Sequence, residues 1–111
     1  MALITLFTAP KPFTNPHIAL IQRNALRSWQ ALGFEVEVVL IGQEEGLAEA
    51  AAELGFAHQP AVARNALGTP LVSAIFELGR NYSNSPLLAY VNADIILFPE
   101  FLQAARAVSA A

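Results

Sequence analysis

The chain has 111 residues, of which 55% are apolar and 14% charged, with a formal charge of -3, and these values predict one folded domain over residues 1–111 rather than a disordered chain. The longest apolar run, Leu87 to Val91, is far shorter than the roughly 18 residues of a membrane helix, and the 6 basic residues form no stripe, so we expect neither a membrane span nor a nucleic-acid partner. The absence of cysteine fits a reducing compartment and predicts a cytoplasmic location.

The first predicted strand and helix are separated by a proline-rich loop. Leu3 to Phe7 is a short apolar run typical of a buried strand, and the prolines of segment 9–12 prevent its continuation. Asn15 is a natural N-cap and Pro16 suits the first helical position, so we expect a helix ending at Gly33. Its apolar spacing predicts a buried stripe opposite a polar face: Ile18, Ile21, Ala25, Trp29 and Leu32 against Gln22, Arg23, Arg27 and Gln30.

A second strand, a second helix and a short third strand are predicted next. Glu35 to Ile41 is rich in β-branched residues, which favour a strand. Glu44 to Leu54 is rich in Ala, Glu and Leu and ends at Gly55, a pattern typical of a helix with acids in its first turn. Phe56 to His58 is long enough for a very short strand only.

The remaining chain predicts a third helix, a fourth strand and a final helix. Residues 69–70, Thr followed by Pro, repeat the cap-then-proline signal for a helix that runs to about Gly79. Asn81 to Pro86 is a cluster of turn residues, and Leu87 to Val91 is a fully apolar strand. Pro99 then opens the last helix.

The alternation of strands and helices predicts an α/β fold with three layers, α/β/α, and a mainly parallel, Rossmann-like sheet. Helices of this length between strands allow parallel pairing through crossover connections. Ligands of such sheets bind at the carboxyl ends of the strands. We therefore look for a site among the residues that follow each strand, in segments 8–13, 42–45, 59–65 and 92–94.

One chemically suggestive motif, Asn92-Ala93-Asp94, follows the most apolar strand, whereas phosphate-loop, dinucleotide-binding and nucleophile-elbow motifs are absent from the sequence. Asp94 is the only aspartate, and apolar residues flank the motif on both sides. A carboxylate in such surroundings is expected to need a cationic or hydrogen-bonding partner because desolvation disfavours its charge. Asn92 and Asp94 point the same way from an extended chain, so they can converge on one ligand.

Two interpretations of Asp94 follow. Mg²⁺ or Mn²⁺ needs only one or two carboxylates when phosphate oxygens and water complete its octahedron, which favours a metal site at Asn92 and Asp94 on a bound diphosphate. The alternative is that Asp94 caps backbone N–H groups in the turn after the strand. We favour the metal site, since both the strand end and the apolar flanks are typical of functional positions.

These residues resemble a known enzyme family. Arg64-Asn65-Ala66-Leu67-Gly68, followed by a helix and by Leu87 to Ile96, is similar to the donor-binding half of family 2-like nucleotide-sugar glycosyltransferases of the GT-A fold. The resemblance implies a truncated GT-A-type domain that binds a UDP- or GDP-type sugar, with Mn²⁺ or Mg²⁺ held at an Asp-x-Asp element. The opening strand and Thr8 resemble the family's first strand and nucleotide-contacting loop.

The chain departs from the family pattern in two places. Asn92 stands where the family has the first acid of Asp-x-Asp, which removes one negative charge and is expected to weaken binding of the bare ion. No acid clearly matches the one that relatives use to read the base; Gln43 or Glu44 is a candidate, although a helix N-terminus also explains Glu44. A phosphatase with an aspartyl nucleophile is disfavoured because Asn92 forms no phosphoaspartate.

Three further residues are candidates for contacts with phosphate or sugar. Arg64 and Asn65 lie in the loop where the family contacts the donor, and arginine suits bidentate phosphate binding, but a solvated arginine fits equally well. Lys11 lies in the proline-stiffened loop, where it can steer a phosphate, although a surface lysine is the simpler interpretation.

The predicted function is binding of a nucleotide-diphospho-sugar. Whether the protein also catalyses metal-dependent hexosyl transfer is left open by the sequence. Transfer would need an acceptor site and a base, and Glu100 is the only carboxylate after Asp94, where helix placement explains it. The sequence thus predicts a donor site without an acceptor half. The alternative is a non-catalytic α/β assembly module, whose surplus of apolar residues predicts a homodimer.

Overall fold

Four short strands form one parallel sheet. The structure is a computed structural model, and it describes residues 2–60, 75, 77, 80, 81 and 85–110. Every pair of neighbouring strands is parallel. The strand order is β3-β2-β1-β4, with β1 at Ile4–Thr8, β2 at Val36–Ile41, β3 at Ala57–Gln59 and β4 at Leu87–Tyr90. The α/β class and the parallel sheet are confirmed, and the arrangement is compatible with a Rossmann-like fold.

Three helices have described bounds: α1 at Pro16–Gln30, α2 at Leu47–Leu54 and α3 at Pro99–Ala110. The first begins as its sequence predicts, because the Asn15 side chain accepts hydrogen bonds from the backbone N–H groups of His17 and Ile18. The second begins at Leu47 rather than the predicted Glu44, since Gly46 precedes it in a left-handed conformation with φ of 83°. Glu44 is therefore not a helical residue, which corrects its predicted place in the first turn.

The strands bury their two faces in separate clusters. Alternate strand residues point to opposite faces of the sheet. One cluster joins Leu6 and Leu40 to apolar residues of all three helices, including the fully buried Trp29 of α1. The other contains Phe7, Val39, Ile41 and Ile75, and Ile75 has helical conformation. Among the described residues, Ile75 therefore supports a helical layer on the second face.

The third predicted helix falls largely outside the described residues, which exclude segment 61–74. Ile75 and Glu77 are helical, as expected. Arg80 and Asn81 are helical too, so helical conformation occurs beyond the predicted end at Gly79 and Asn81 does not belong to the turn predicted there.

The buried stripe of α1 differs from the predicted one at two positions. Ala25 and Trp29 are buried as expected, but Gln22 is 3% exposed and Ile21 is 36% exposed. Gln22 was expected on the solvent side because it is polar, yet it occupies the inner face where it bonds to the chain before the helix. Ile21 instead lines a cleft, described below.

No helix within the described ranges is long and apolar enough to cross a bilayer.

Candidate functional site

A cleft opens where the strand order changes direction. From β1 the chain adds β2 and then β3 on one side, whereas β4 pairs with the other edge of β1. Ligands of open parallel sheets bind at this point, beside the carboxyl ends of the strands. The cleft has a volume of about 390 Å³, within the range of roughly 300–1,000 Å³ typical of small-molecule sites. Its described lining comes from three segments: Ala9–Lys11, then Ile18, Ile21 and Gln22 of α1, and Tyr90 with Asn92–Asp94.

The loop after β1 is held against α1 by one buried side chain. The Gln22 carboxamide accepts a hydrogen bond from the Lys11 backbone N–H at 2.7 Å and donates one to the Lys11 carbonyl oxygen at 3.0 Å. Lys11 is exposed and its side chain makes no ion pair within the described part of the chain. Lys11 therefore presents a free ammonium group beside the cleft.

The first turn of α1 has no backbone N–H group to spare for a ligand. Pro16 carries none, and those of His17 and Ile18 bond to the Asn15 side chain. The N–H of Ala19 bonds to the Asn15 carbonyl oxygen at 2.8 Å. A helix N-terminus binds phosphate through free N–H groups, so the first turn of α1 does not offer an anion this kind of site.

Asn92 and Asp94 both line the cleft, but in a turn rather than on a strand. The strand β4 ends at Tyr90, and the Ile95 N–H bonds to the Asn92 carbonyl oxygen at 3.1 Å. The expectation that Asn92 and Asp94 point the same way from an extended chain therefore does not apply, although they reach the same cleft.

The apolar surroundings predicted for Asp94 are not present in the structure. Its flanking residues Ile95 and Ile96 are themselves exposed, and so is Asp94, so its carboxylate is not desolvated. The expected alternative, capping of turn N–H groups, is not seen either, because no hydrogen bond or ion pair of the carboxylate occurs among the described residues. Asp94 thus presents an unpartnered carboxylate to the cleft.

The segment after Asp94 is anchored to α1 by two hydrogen bonds. The Trp29 indole N–H donates to the Ile95 carbonyl oxygen at 2.8 Å. The Leu97 N–H donates to the Ser28 hydroxyl at 2.9 Å. Since α1 also holds the loop that carries Lys11, one helix positions both charged walls of the cleft.

Tyr90 gives the cleft an aromatic wall at the end of β4. Its ring packs edge-on against Phe7, with centroids 5.6 Å apart and planes at 72°. Phe7 is fully buried, so the Tyr90 ring rests on the core while keeping 37% of its surface accessible.

The other residues predicted for the site lie elsewhere. Thr8 is fully buried at the end of β1, so its side chain offers no surface to a ligand; its hydroxyl has no hydrogen-bond partner among the described residues. Gln43 and Glu44 line a separate depression beside α2, away from the cleft described above. Arg64 and Asn65 lie outside the described residues.

Sequence reasoning missed Gln22, Tyr90 and Ile21 as cleft residues. A polar residue at a position that helical spacing places near Ala25 and Trp29 was the available signal for Gln22. For Tyr90 the signal was its place as the last residue of an apolar strand.

Metal ligands are sparse in the described part of the chain. No three His, Cys, Asp or Glu side chains converge there. Asn92 and Asp94 supply one amide oxygen and one carboxylate, which is too little charge to hold a bare divalent ion but enough where a phosphate supplies further oxygens.

Comparison with protein-family models, with curated proteins and with solved structures found no match to this chain.

Proposed function

We propose that the cleft binds a nucleotide-diphospho-sugar of the UDP or GDP type, in a domain of GT-A type. The observation that carries the proposal is that Lys11 and Asp94, which form no ion pair among the described residues, line one cleft at the carboxyl ends of β1 and β4. In this proposal Lys11 would contact the diphosphate directly, as a point charge. Tyr90 offers an aromatic surface for a base or a sugar ring.

Asn92 and Asp94 would hold Mn²⁺ or Mg²⁺ when the diphosphate is present. The unpartnered Asp94 carboxylate fits this role, because a hard cation takes oxygen ligands and tolerates few protein ligands when phosphate and water supply the others. The bound ion would supply a Lewis acid for the leaving diphosphate, should the protein transfer hexosyl groups. Arg64 and Asn65 stay predicted contacts to the donor.

A thermal-shift titration tests this proposal. UDP, GDP and their sugars are added with and without Mn²⁺, and ligand binding at a hundred times Kd is expected to stabilise the fold by about 2.7 kcal/mol. Asp94→Asn keeps the side-chain shape and removes the charge, so it should abolish the Mn²⁺-dependent part of the shift while leaving the unliganded melting temperature nearly unchanged. Glu100→Gln, the same chemical change at an exposed helix position outside the cleft lining, is the control.

Two results would contradict the proposal. One is that the melting temperature does not change with UDP, GDP, a UDP-sugar or a GDP-sugar. The other is a Mn²⁺-dependent shift that Asp94→Asn leaves intact, which would place the ion elsewhere.

The second candidate function is a non-catalytic assembly module that forms a homodimer. It is favoured by large apolar side chains left in solvent, among them Phe34 at 91%, Phe98 at 64% and Ile96 at 51% exposure. Sedimentation equilibrium distinguishes this candidate: a dimer that persists at low micromolar concentration without nucleotide, together with no thermal shift, would favour assembly over donor binding.

A further inference from the structure

Gln22 is an unusual residue for the inner face of α1. Its neighbours on that face, Ala25, Leu26 and Trp29, are apolar and fully buried, and Gln22 itself is 3% exposed. A buried carboxamide costs free energy unless its donor and acceptor are both paired. Both are paired here, and with a single partner residue eleven positions earlier.

The two hydrogen bonds of Gln22 close on the backbone of the cleft loop. Lys11 N–H donates to the carboxamide oxygen at 2.7 Å, and the carboxamide N–H donates to the Lys11 carbonyl at 3.0 Å. Pro10 and Pro12 flank Lys11, and their rings fix two more backbone angles of the same loop. The Lys11 N–H is therefore not left for an anionic ligand, and the Lys11 side chain is the cationic group that this loop brings to the cleft.

We propose that Gln22 is a positioning residue that holds the Lys11 loop in place for the anionic part of the ligand. This inference rests on the proposed function, in which Lys11 contacts the diphosphate. The backbone of Lys11 is ordered before binding, so the ligand does not have to bear the entropy of ordering it. Loss of the Gln22 contacts should therefore lower ligand affinity by displacing Lys11, although Gln22 itself also lines the cleft.

A double-mutant cycle tests whether Gln22 affects ligand affinity through Lys11. The probes are UDP and GDP, each with Mn²⁺, and the variants are Gln22→Leu, Lys11→Met and the two combined. Gln22→Leu is expected to weaken binding about tenfold in the wild-type background and to have almost no further effect in the Lys11→Met background. A merely structural role for Gln22 would weaken binding equally in both backgrounds, and that result would overturn the proposal.

Amide hydrogen exchange at Lys11 tests the contact without any ligand. The Lys11 N–H should exchange roughly tenfold faster in Gln22→Leu than in the wild type, because its hydrogen-bond acceptor is gone. Gln30→Leu is the matched control: Gln30 lies on the same helix and also donates to a backbone carbonyl, that of Leu54 at 2.7 Å, but it does not line the cleft. That control should change neither Lys11 exchange nor nucleotide affinity.

The two measurements separate the inference from the function on which it rests. If neither nucleotide binds the wild type, the proposed function fails, and equal Lys11 exchange in wild type and Gln22→Leu would separately show that Gln22 does not hold the loop. Should Gln22→Leu not fold, Gln22→Met serves in both measurements, since it keeps an unbranched side chain of similar length and removes the carboxamide that bonds to Lys11.

Discussion

Asn92 lines the cleft beside Asp94, so a carboxylate at position 92 would give the cleft two acidic side chains. Asn92→Asp should therefore strengthen Mn²⁺-linked nucleotide binding if its side chain faces the ion, because the added charge compensates the cation more fully. Isothermal titration of Mn²⁺ into protein saturated with UDP measures the effect, which we expect to be about tenfold in the apparent Kd.

The control for this substitution is Asn24→Asp. Asn24 is exposed on α1 and is not among the described cleft residues, so the same change of charge there should leave Mn²⁺ affinity unaltered. Unchanged or weaker affinity in Asn92→Asp would mean that the Asn92 side chain points away from the ion.

Single side chains were predictable from the sequence where their partners are local. Asn15 caps α1 through N–H groups two and three residues ahead, a relation that the sequence contains directly. Gln22 bonds to a loop whose path no periodicity encodes, so its polarity alone pointed to solvent. Asp94 lines the cleft, but the apolar surroundings expected for it are absent, since the exposure of Ile95 and Ile96 depends on how the following segment folds onto α1.

The loop after β1 and the loop before α2 meet at Gly46. A Cβ atom added to Gly46 would lie 2.7 Å from the Phe13 Cβ, and the Phe13 N–H bonds to the Glu45 carbonyl oxygen at 2.8 Å. Gly46→Ala should therefore destabilise the fold by roughly 1–3 kcal/mol more than Gly33→Ala, because both glycines have positive φ but only Gly46 faces a close neighbour.

Urea unfolding of the two alanine variants measures this difference. Equal losses would show that the backbone conformation alone accounts for the cost and that the Phe13 loop adapts without strain.

The helices and strands were predictable because proline and glycine residues mark where several of them begin or end. Pro16 and Pro99 open α1 and α3 where expected, and Gly55 ends α2 in a left-handed conformation. The start of α2 was placed three residues too early, since helix propensity favours the residues from Glu44 onward while the contact with Phe13 requires a turn there. That contact is tertiary and has no signature in local sequence.

An ion pair between Glu35 and Arg106 joins the turn before β2 to α3. The hydrogen bond and positive charge of Arg106 hold the pKa of the Glu35 carboxyl below its ordinary value. A carboxyl group with a lowered folded-state pKa contributes stability above its ordinary pKa and loses that contribution as the pH falls through the lowered value. The contribution is small because both side chains are partly exposed.

Glu35→Gln should accordingly lower the melting temperature slightly at neutral pH, and the difference from wild type should vanish as the pH falls through the lowered pKa of Glu35. Arg106→Gln removes the same pair and should show the same dependence on pH. A deficit in Glu35→Gln that persists undiminished in acid would show that lost packing, not charge, causes it.

The parallel pairing of the strands followed from a general rule applied to this chain. Alternating strands and helices predicted parallel pairing, and the rule for such sheets predicted a site at the carboxyl ends of the strands. The alternation does not say which strand lies beside β1, however, and it is the pairing of β4 with β1 that brings Lys11 and Asp94 to one cleft. That neighbour relation is a property of the assembled sheet.

Trp29 is the only tryptophan of the protein, and its indole is bonded to the segment that follows Asp94. The fluorescence emission of Trp29 should be blue-shifted while that segment covers the indole. It should move to longer wavelength if the segment separates and the indole becomes exposed to water. Stopped-flow fluorescence of the unlabelled chain can therefore report whether the segment that follows Asp94 stays bonded to α1, with Trp29 as the intrinsic probe.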